Sequence, residues 1–280
     1  YEEPLRLSEK DEDSLRFIRE GYIKAPADFP AENHDTQKKI VSFLGKQLNR
    51  IFLNKDLSLN YSFIADVIVS KFFKDVEIYY KEDCPDENDK LCKAKDLIKD
   101  RLIKVLEKYK SDQIMLLSHS MGSIIAFDVL SFHDLEIPIH TFITAGSPLG
   151  LPVVISKIAA EQKKRLSSEN TMLTPPSINK NWYNFSDILD RVALNYDLAD
   201  DFTKNEFGVG PIDFLVVNNY EINGKRNPHK SYGYLRSPEF AKVLTEFIQT
   251  EKLTLRLRAI ARISFFIHSI KHKLNYHKKE

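Results

Sequence analysis

Ser118-His119-Ser120-Met121-Gly122 sets a serine between small residues, just after the apolar run Gln113-Ile114-Met115-Leu116-Leu117. Ile124 to Leu130 follows at helical length. A Ser-x-Gly triplet alone means little, because chance supplies roughly 0.7 of them at this composition. Ser231-Tyr232-Gly233 is indeed a second one, with no strand before it. Ser120 differs in its context of apolar strand, sharp turn and helix. That geometry lifts a hydroxyl above the end of a sheet, and the helix start turns backbone N–H groups toward a developing oxyanion. The plainer alternative is a polar cap on a buried helix.

A serine hydroxyl is a weak nucleophile at neutral pH, so it needs a base, and the base needs a carboxylate to orient it. In a sheet of this kind the order along the chain is Ser, then Asp or Glu, then His. The first acids after the apolar segment Asn181 to Phe185 are Asp187 and Asp190. Asp190 is preferred, because it sits further into the loop, where it can reach across; Asp187 is the runner-up. Among eight histidines, His34, His133 and His140 precede the acid, and His268, His272 and His277 belong to a basic tail. His119 adjoins Ser120, and in a sharp elbow its side chain is expected to point away from the nucleophile. His229 remains, in Asn227-Pro228-His229-Lys230-Ser231-Tyr232. The chemistry expected is acyl transfer: Ser120 attacks, His229 moves the proton, Asp190 steadies the imidazole, and the Met121 N–H meets the oxyanion.

These residues require a scaffold of strands and helices in alternation. Ile139 to Thr144, Asn181 to Phe185 and Phe214 to Val217 read as further buried strands. Leu97 to Tyr109 and Ser237 to Ile248 read as amphipathic helices. The pattern implies an α/β fold, a mostly parallel sheet with helices on both faces. Residues 1–110 read mainly as helix, with Ile64 to Tyr80 open between helix and strand, and 111–250 as the α/β core. The stretch 152–181 is long for a plain connection and is either a lid over the site or a helical excursion.

Composition fits this picture. The 280 residues are 42% apolar and 11% aromatic, with 41 Lys+Arg against 40 Asp+Glu. Such a chain can bury a core, and its balanced charge argues against nucleic acid as a partner. No apolar run approaches the roughly 18 residues that span a bilayer, and no secretory start is present. Cys84 and Cys92 fall in an acidic, polar loop and read as free thiols of a reducing compartment, with a disulfide between them as the alternative. The expected location is cytoplasmic, with peripheral membrane contact through the tail as an added possibility. Residues 251–280 hold eight Lys/Arg against Glu251 and Glu280, a net +6. Interleaved Leu, Ile and Phe make 251–280 a basic amphipathic helix, either docked on the domain or lying on anionic lipid. His268 and His272 are spaced i,i+4, but with no matching carboxylate a metal site is not expected.

Four segments together resemble the α/β-hydrolase lipases and esterases, bacterial members above all. Leu116 to Ser123 is similar to their nucleophile elbow, and Phe142-Ile143-Thr144-Ala145-Gly146-Ser147-Pro148-Leu149-Gly150 to the strand and turn after it. Trp182 to Ala193 is similar to their acid loop, whose second aspartate serves the triad, and Asn227 to Leu235 to their histidine loop. The resemblance covers about 113–250. It implies an α/β-hydrolase that cleaves small carboxylic or lipid esters without a cofactor. Its alternatives are an acyltransferase using the same triad, or a catalytically impaired scaffold associated with membrane. Two departures stand out. Ser118 occupies a position usually held by Gly, and nothing in 1–110 resembles the His-Gly loop that donates the second oxyanion N–H. Tyr1 is not an initiator Met, so the chain is expected to lack the first strands and that loop. Loss of one oxyanion donor slows such reactions by about 10²–10³.

Overall fold

The computed structural model describes residues 91–250 except 134–135, 167–171, 194 and 223, preceded by 53–55, 57–58, 79–80 and 83–85. The helices expected before residue 79 and the basic tail 251–280 lie outside the described residues. Tyr79 and Tyr80 are helical.

The elements in chain order are β1 (Asp83–Pro85), β2 (Leu91–Lys93), α1 (Ala94–Lys108), β3 (Ile114–His119), α2 (Gly122–Phe132), β4 (Ile139–Ala145) and α3 (Pro152–Leu166). There follow β5 (Met172–Leu173), β6 (Ile178–Ser186), β7 (Phe202–Thr203), β8 (Pro211–Leu215), β9 (Glu221–Ile222), β10 (Lys225–Arg226), α4 (Ser231–Leu235) and α5 (Pro238–Thr250). Strands β3, β4, β6 and β8 form one parallel sheet in that spatial order. A parallel pair cannot be joined by a tight hairpin, and α2 and α3 make the first two crossovers.

Side chains alternate across each strand, so one sheet feeds two cores. On one face Trp182 of β6 is fully buried among Phe127 of α2, Phe142 of β4 and Phe202 of β7. On the other, Phe185 stacks on Phe214 at 5.3 Å and meets Phe240 of α5 edge-on. Phe142 belongs to the first core and its neighbour Ile143 to the second. Helices therefore cover both faces, as the alternating pattern implies. Fully burying one such side chain contributes about 1.5–3 kcal/mol.

Helix α2 is buried on nearly every side, Asp128 included. A buried carboxylate needs partners, and Asp128 Oδ2 has the Lys95 ammonium at 2.8 Å and the Tyr79 hydroxyl at 2.8 Å. Lys95 also reaches Glu161 at 2.7 Å, which ties α1, α2 and α3 together. The stretch after Pro152 is a helix whose Val154, Ile155 and Ile158 enter the first core. Among the described residues, no helix is long and apolar enough to cross a membrane.

Two segments differ from the sequence reading. The last strand of the four-stranded sheet begins at Pro211 rather than Phe214. Its polar Asp213 hides it from an apolar-run reading, yet Asp213 accepts hydrogen bonds from Asn184 Nδ2 and from the N–H groups of Leu198 and Ala199. The acidic run from Cys84 is not wholly loop either: β1 and β2 pair antiparallel, with Cys84 opposite Cys92.

Burial pushes the Asp213 carboxyl up to about 6 and that of Asp201 up to about 7, against hydrogen bonds from Asn184 and Asn195 that favour the charged forms. Raised in the folded state, each carboxyl holds its proton more tightly there than in the unfolded chain. The stability it contributes is complete below the unfolded value and is lost as pH rises through 6 to 7. Asp201→Asn keeps an acceptor for the Asn195 amide without the charge. It is expected to raise the melting temperature over wild type at about pH 8 and by much less at about pH 5. Melting curves of both proteins across that range, at constant ionic strength, check this; a pH-independent gap would refute it.

Candidate active site

Strand β3 ends at His119, α2 begins at Gly122, and Ser120 sits in the turn between them with φ +55°. A non-glycine residue in the left-handed region costs about 1–3 kcal/mol and persists only where its surroundings fix it. Here the Ser120 N–H donates to Ala145 O at 3.1 Å and its carbonyl accepts from the Ser123 N–H at 2.9 Å. Ser118 is buried and spends its hydroxyl on Ile143 O at 3.0 Å. A small residue that can pair its own polar atom thus fits where glycine is expected. Met121 caps the helix in a helical conformation with no side-chain capping bond, so its N–H lies at the helix start beside Ser120.

Ser120, His229 and Asp190 come together. His229 Nε2 lies 2.9 Å from Ser120 Oγ. Its Nδ1 lies 3.0 and 2.9 Å from the two oxygens of Asp190. The Asp190 side chain is sealed from solvent while that of His229 is 30% exposed. The imidazole therefore faces the opening with the acid behind it. Asp190 accepts two further hydrogen bonds, from the Val192 N–H at 2.9 Å and from the Tyr234 hydroxyl at 2.6 Å. Tyr234 accepts in turn from the Asp187 N–H at 3.0 Å. Burial and the neighbouring Asp190 charge push the Tyr234 hydroxyl far above the ordinary tyrosine value, so it stays a donor.

Asp187, the runner-up acid, has a different task. Its carboxylate accepts from the Leu189 N–H at 2.7 Å, the Asn218 N–H at 2.6 Å and the Arg226 guanidinium at 2.9 Å. Burial raises its pKa, and these donors pull against that rise. It staples the acid loop to the segment that leads into the histidine loop.

Gly146 lies under the site with φ +54°. A Cβ there would stand 2.8 Å from Asp190 Oδ2, 3.1 Å from the Tyr234 ring and 3.2 Å from His229 Nδ1. Only glycine allows the turn after β4 to pass beneath the acid–base pair.

His119 departs from expectation. Its ring turns toward the histidine loop, with Nε2 2.6 Å from the His229 carbonyl oxygen and its centroid 4.7 Å from that of His229. The turn that holds Ser120 at φ +55° leaves its neighbour's ring beside the histidine loop. His140 is engaged elsewhere, with Thr141 Oγ1 at 2.8 Å and the Phe247 ring at 5.4 Å. His34, His268, His272 and His277 lie outside the described residues.

Comparison with protein-family models, with curated proteins and with solved structures finds no match to this chain.

Proposed function

We propose that this chain is a serine hydrolase of the α/β-hydrolase type, cleaving carboxylic esters through an acyl-enzyme on Ser120. The observation that carries the reading is the strained Ser120 turn, with Oγ at 2.9 Å from an imidazole whose other nitrogen rests on a sealed carboxylate. Structural serines in helix caps do not need a positive φ, a histidine and a buried acid in relay.

Asp190 accepts a hydrogen bond from the Nδ1–H of His229, which fixes the tautomer with Nε2 bare to accept from the Ser120 hydroxyl. As Oγ attacks the ester carbonyl, its proton passes to Nε2 and Asp190 stabilises the imidazolium. The Met121 N–H donates to the oxyanion. Collapse releases the alcohol, which takes the proton from His229. Water then attacks the acyl-enzyme, His229 again acting as base, and the carboxylic acid departs. The His-Gly loop that gives the second oxyanion N–H in the resembled family has no counterpart in residues 1–110.

The test is a fluorophosphonate probe, which bonds only to activated serines, followed by mass spectrometry of the digested chain. The expected adduct is on Ser120 and absent from Ser118 and Ser123, and a short-chain p-nitrophenyl ester should slow its formation. Folded chain that takes no label overturns the reading and favours the scaffold.

A further inference from the structure

The loop carrying the base is held at three consecutive carbonyls. Asn218, fully buried just beyond β8, donates through Nδ2 to Pro228 O at 2.7 Å and to Lys230 O at 2.8 Å. Its Oδ1 accepts from the Tyr220 N–H at 3.1 Å, so both ends of its amide are engaged. The middle carbonyl, that of His229 itself, has His119 Nε2 at 2.6 Å. A carbonyl can only accept, so His119 carries a proton on Nε2 and donates it. One clamp thus comes from the strand end before the loop. The other comes from the residue next to the nucleophile, 110 positions away in the chain.

The second clamp is suited to more than holding a loop. It spans the two halves of the reacting pair, with His119 bonded through the backbone to Ser120 and through its ring nitrogen to the backbone of His229. Any drift of the histidine loop away from the elbow must stretch that bond. The His119 ring also lies beside those of His229 and Tyr234, at 4.7 and 6.1 Å. The titratable and charged groups facing it are His229, Asp190, Lys230 and Tyr234. Burial and the adjacent His229 lower its pKa, while Asp190 and the bond to the His229 carbonyl oppose the fall. A neutral ring leaves room for His229 to become the only cation of the pair during proton transfer.

We propose that His119 is a positioning residue for the base, setting the Ser120–His229 distance through its hydrogen bond to the His229 carbonyl. This inference rests on the proposed hydrolase reading and gives the residue before the nucleophile a role in it.

The test compares His119→Phe with His119→Gln. Phenylalanine keeps a flat ring against His229 and Tyr234 and removes only the donor. Glutamine restores an N–H at a similar reach. Misplacing a reacting group by about 1 Å costs up to about 100-fold. With a p-nitrophenyl ester, H119F is expected to lower kcat by about 10–100-fold while KM moves less than about threefold, and H119Q to recover most of the loss. Fluorophosphonate labelling should slow in parallel. Melting curves identify a variant that has simply unfolded. A second readout needs no turnover: the proton NMR resonance of the His229 Nδ1–H bonded to Asp190, shifted downfield, should weaken in H119F and return in H119Q. Wild-type kcat and labelling in H119F would overturn the proposal, as would an equal loss in a well-folded H119Q. If wild type takes no label at all, the hydrolase reading fails and the NMR decides alone. Loss of the resonance in H119F with its return in H119Q supports the positioning role; an unchanged resonance in both refutes it.

Discussion

Ser120→Ala and His229→Ala should each lower ester turnover by about a millionfold, and the double variant should lose no more than either single one. A millionfold is about 8 kcal/mol of barrier. The loss is shared because the two groups perform one act. In the proposed mechanism Ser120 Oγ gives its proton to a nitrogen 2.9 Å away, and without the hydroxyl that nitrogen has nothing to deprotonate in the attack. Without the nitrogen, the hydroxyl is an ordinary weak nucleophile. Groups acting as one unit are therefore far from additive. Independent contributions would multiply toward about 10¹², well below any measurable rate. Turnover of the two single variants and the double variant, each checked for folding, decides it. A Ser120→Ala chain that still hydrolyses ester at a comparable rate would show that the nucleophile lies elsewhere. A double variant clearly slower than both single ones would show that serine and histidine work apart.

Two members of the proposed triad were legible because they follow strands that the sequence announces. Ser120 follows Ile114–His119, and Asp190 follows Ile178–Ser186, both dense in apolar or aromatic residues. His229 lies between β10 and α4, placed there by chain order and by elimination of the other histidines. Strands of two or three residues, such as β5, β7, β9 and β10, are too short to express a period. The polar Asp213 masked the start of β8, since its cost is offset only by Asn184 and two N–H groups distant in sequence.

What supports the triad was far less legible. Tyr234 and Asn218 act across 44 and 12 residues, and His119 across 110. No local spacing encodes such contacts. Their residue types carry no fixed role either, since a tyrosine in a short helix and an asparagine after a strand usually face water. Gly146 gives a partial hint, as glycine directly after a buried strand marks a close backbone approach. Which groups approach it, Asp190 and His229, appears only once the strands are paired. The candidate reacting groups and their order can thus be read along the chain, while the polar frame that fixes their distances belongs to the tertiary structure.

The choice between the two aspartates follows from that frame and separates chemistry from stability. Asp190→Asn is expected to slow turnover by about 10⁴ in a chain that melts near the wild-type temperature. The amide has the same shape, and its remaining oxygen can still accept from the Val192 N–H, 2.9 Å from Oδ1. Tyr234 bonds Oδ2, so the amide nitrogen falls on that side, where a hydroxyl can rotate to accept. That nitrogen then faces His229 Nδ1 across the present 2.9 Å, favouring a bare Nδ1 and a protonated Nε2. Nε2 in that tautomer cannot take the Ser120 proton, and no negative charge remains to stabilise an imidazolium. Asp187→Asn should reverse the balance. Its carboxylate receives the Leu189 N–H on one oxygen, and the Asn218 N–H and Arg226 guanidinium on the other. An amide nitrogen on either side would meet a donor, so a buried hydrogen bond is lost at about 1–3 kcal/mol. Melting temperature should fall, with kcat per folded molecule within about tenfold of wild type, since the hydrogen bonds linking Asp187 to Asp190 run through Tyr234 and the loop backbone. Asp190→Asn labelled by fluorophosphonate at the wild-type rate, with Asp187→Asn silent, would exchange the two assignments. Slow labelling of a stable Asp190→Asn beside a labile but reactive Asp187→Asn is the pattern the geometry requires.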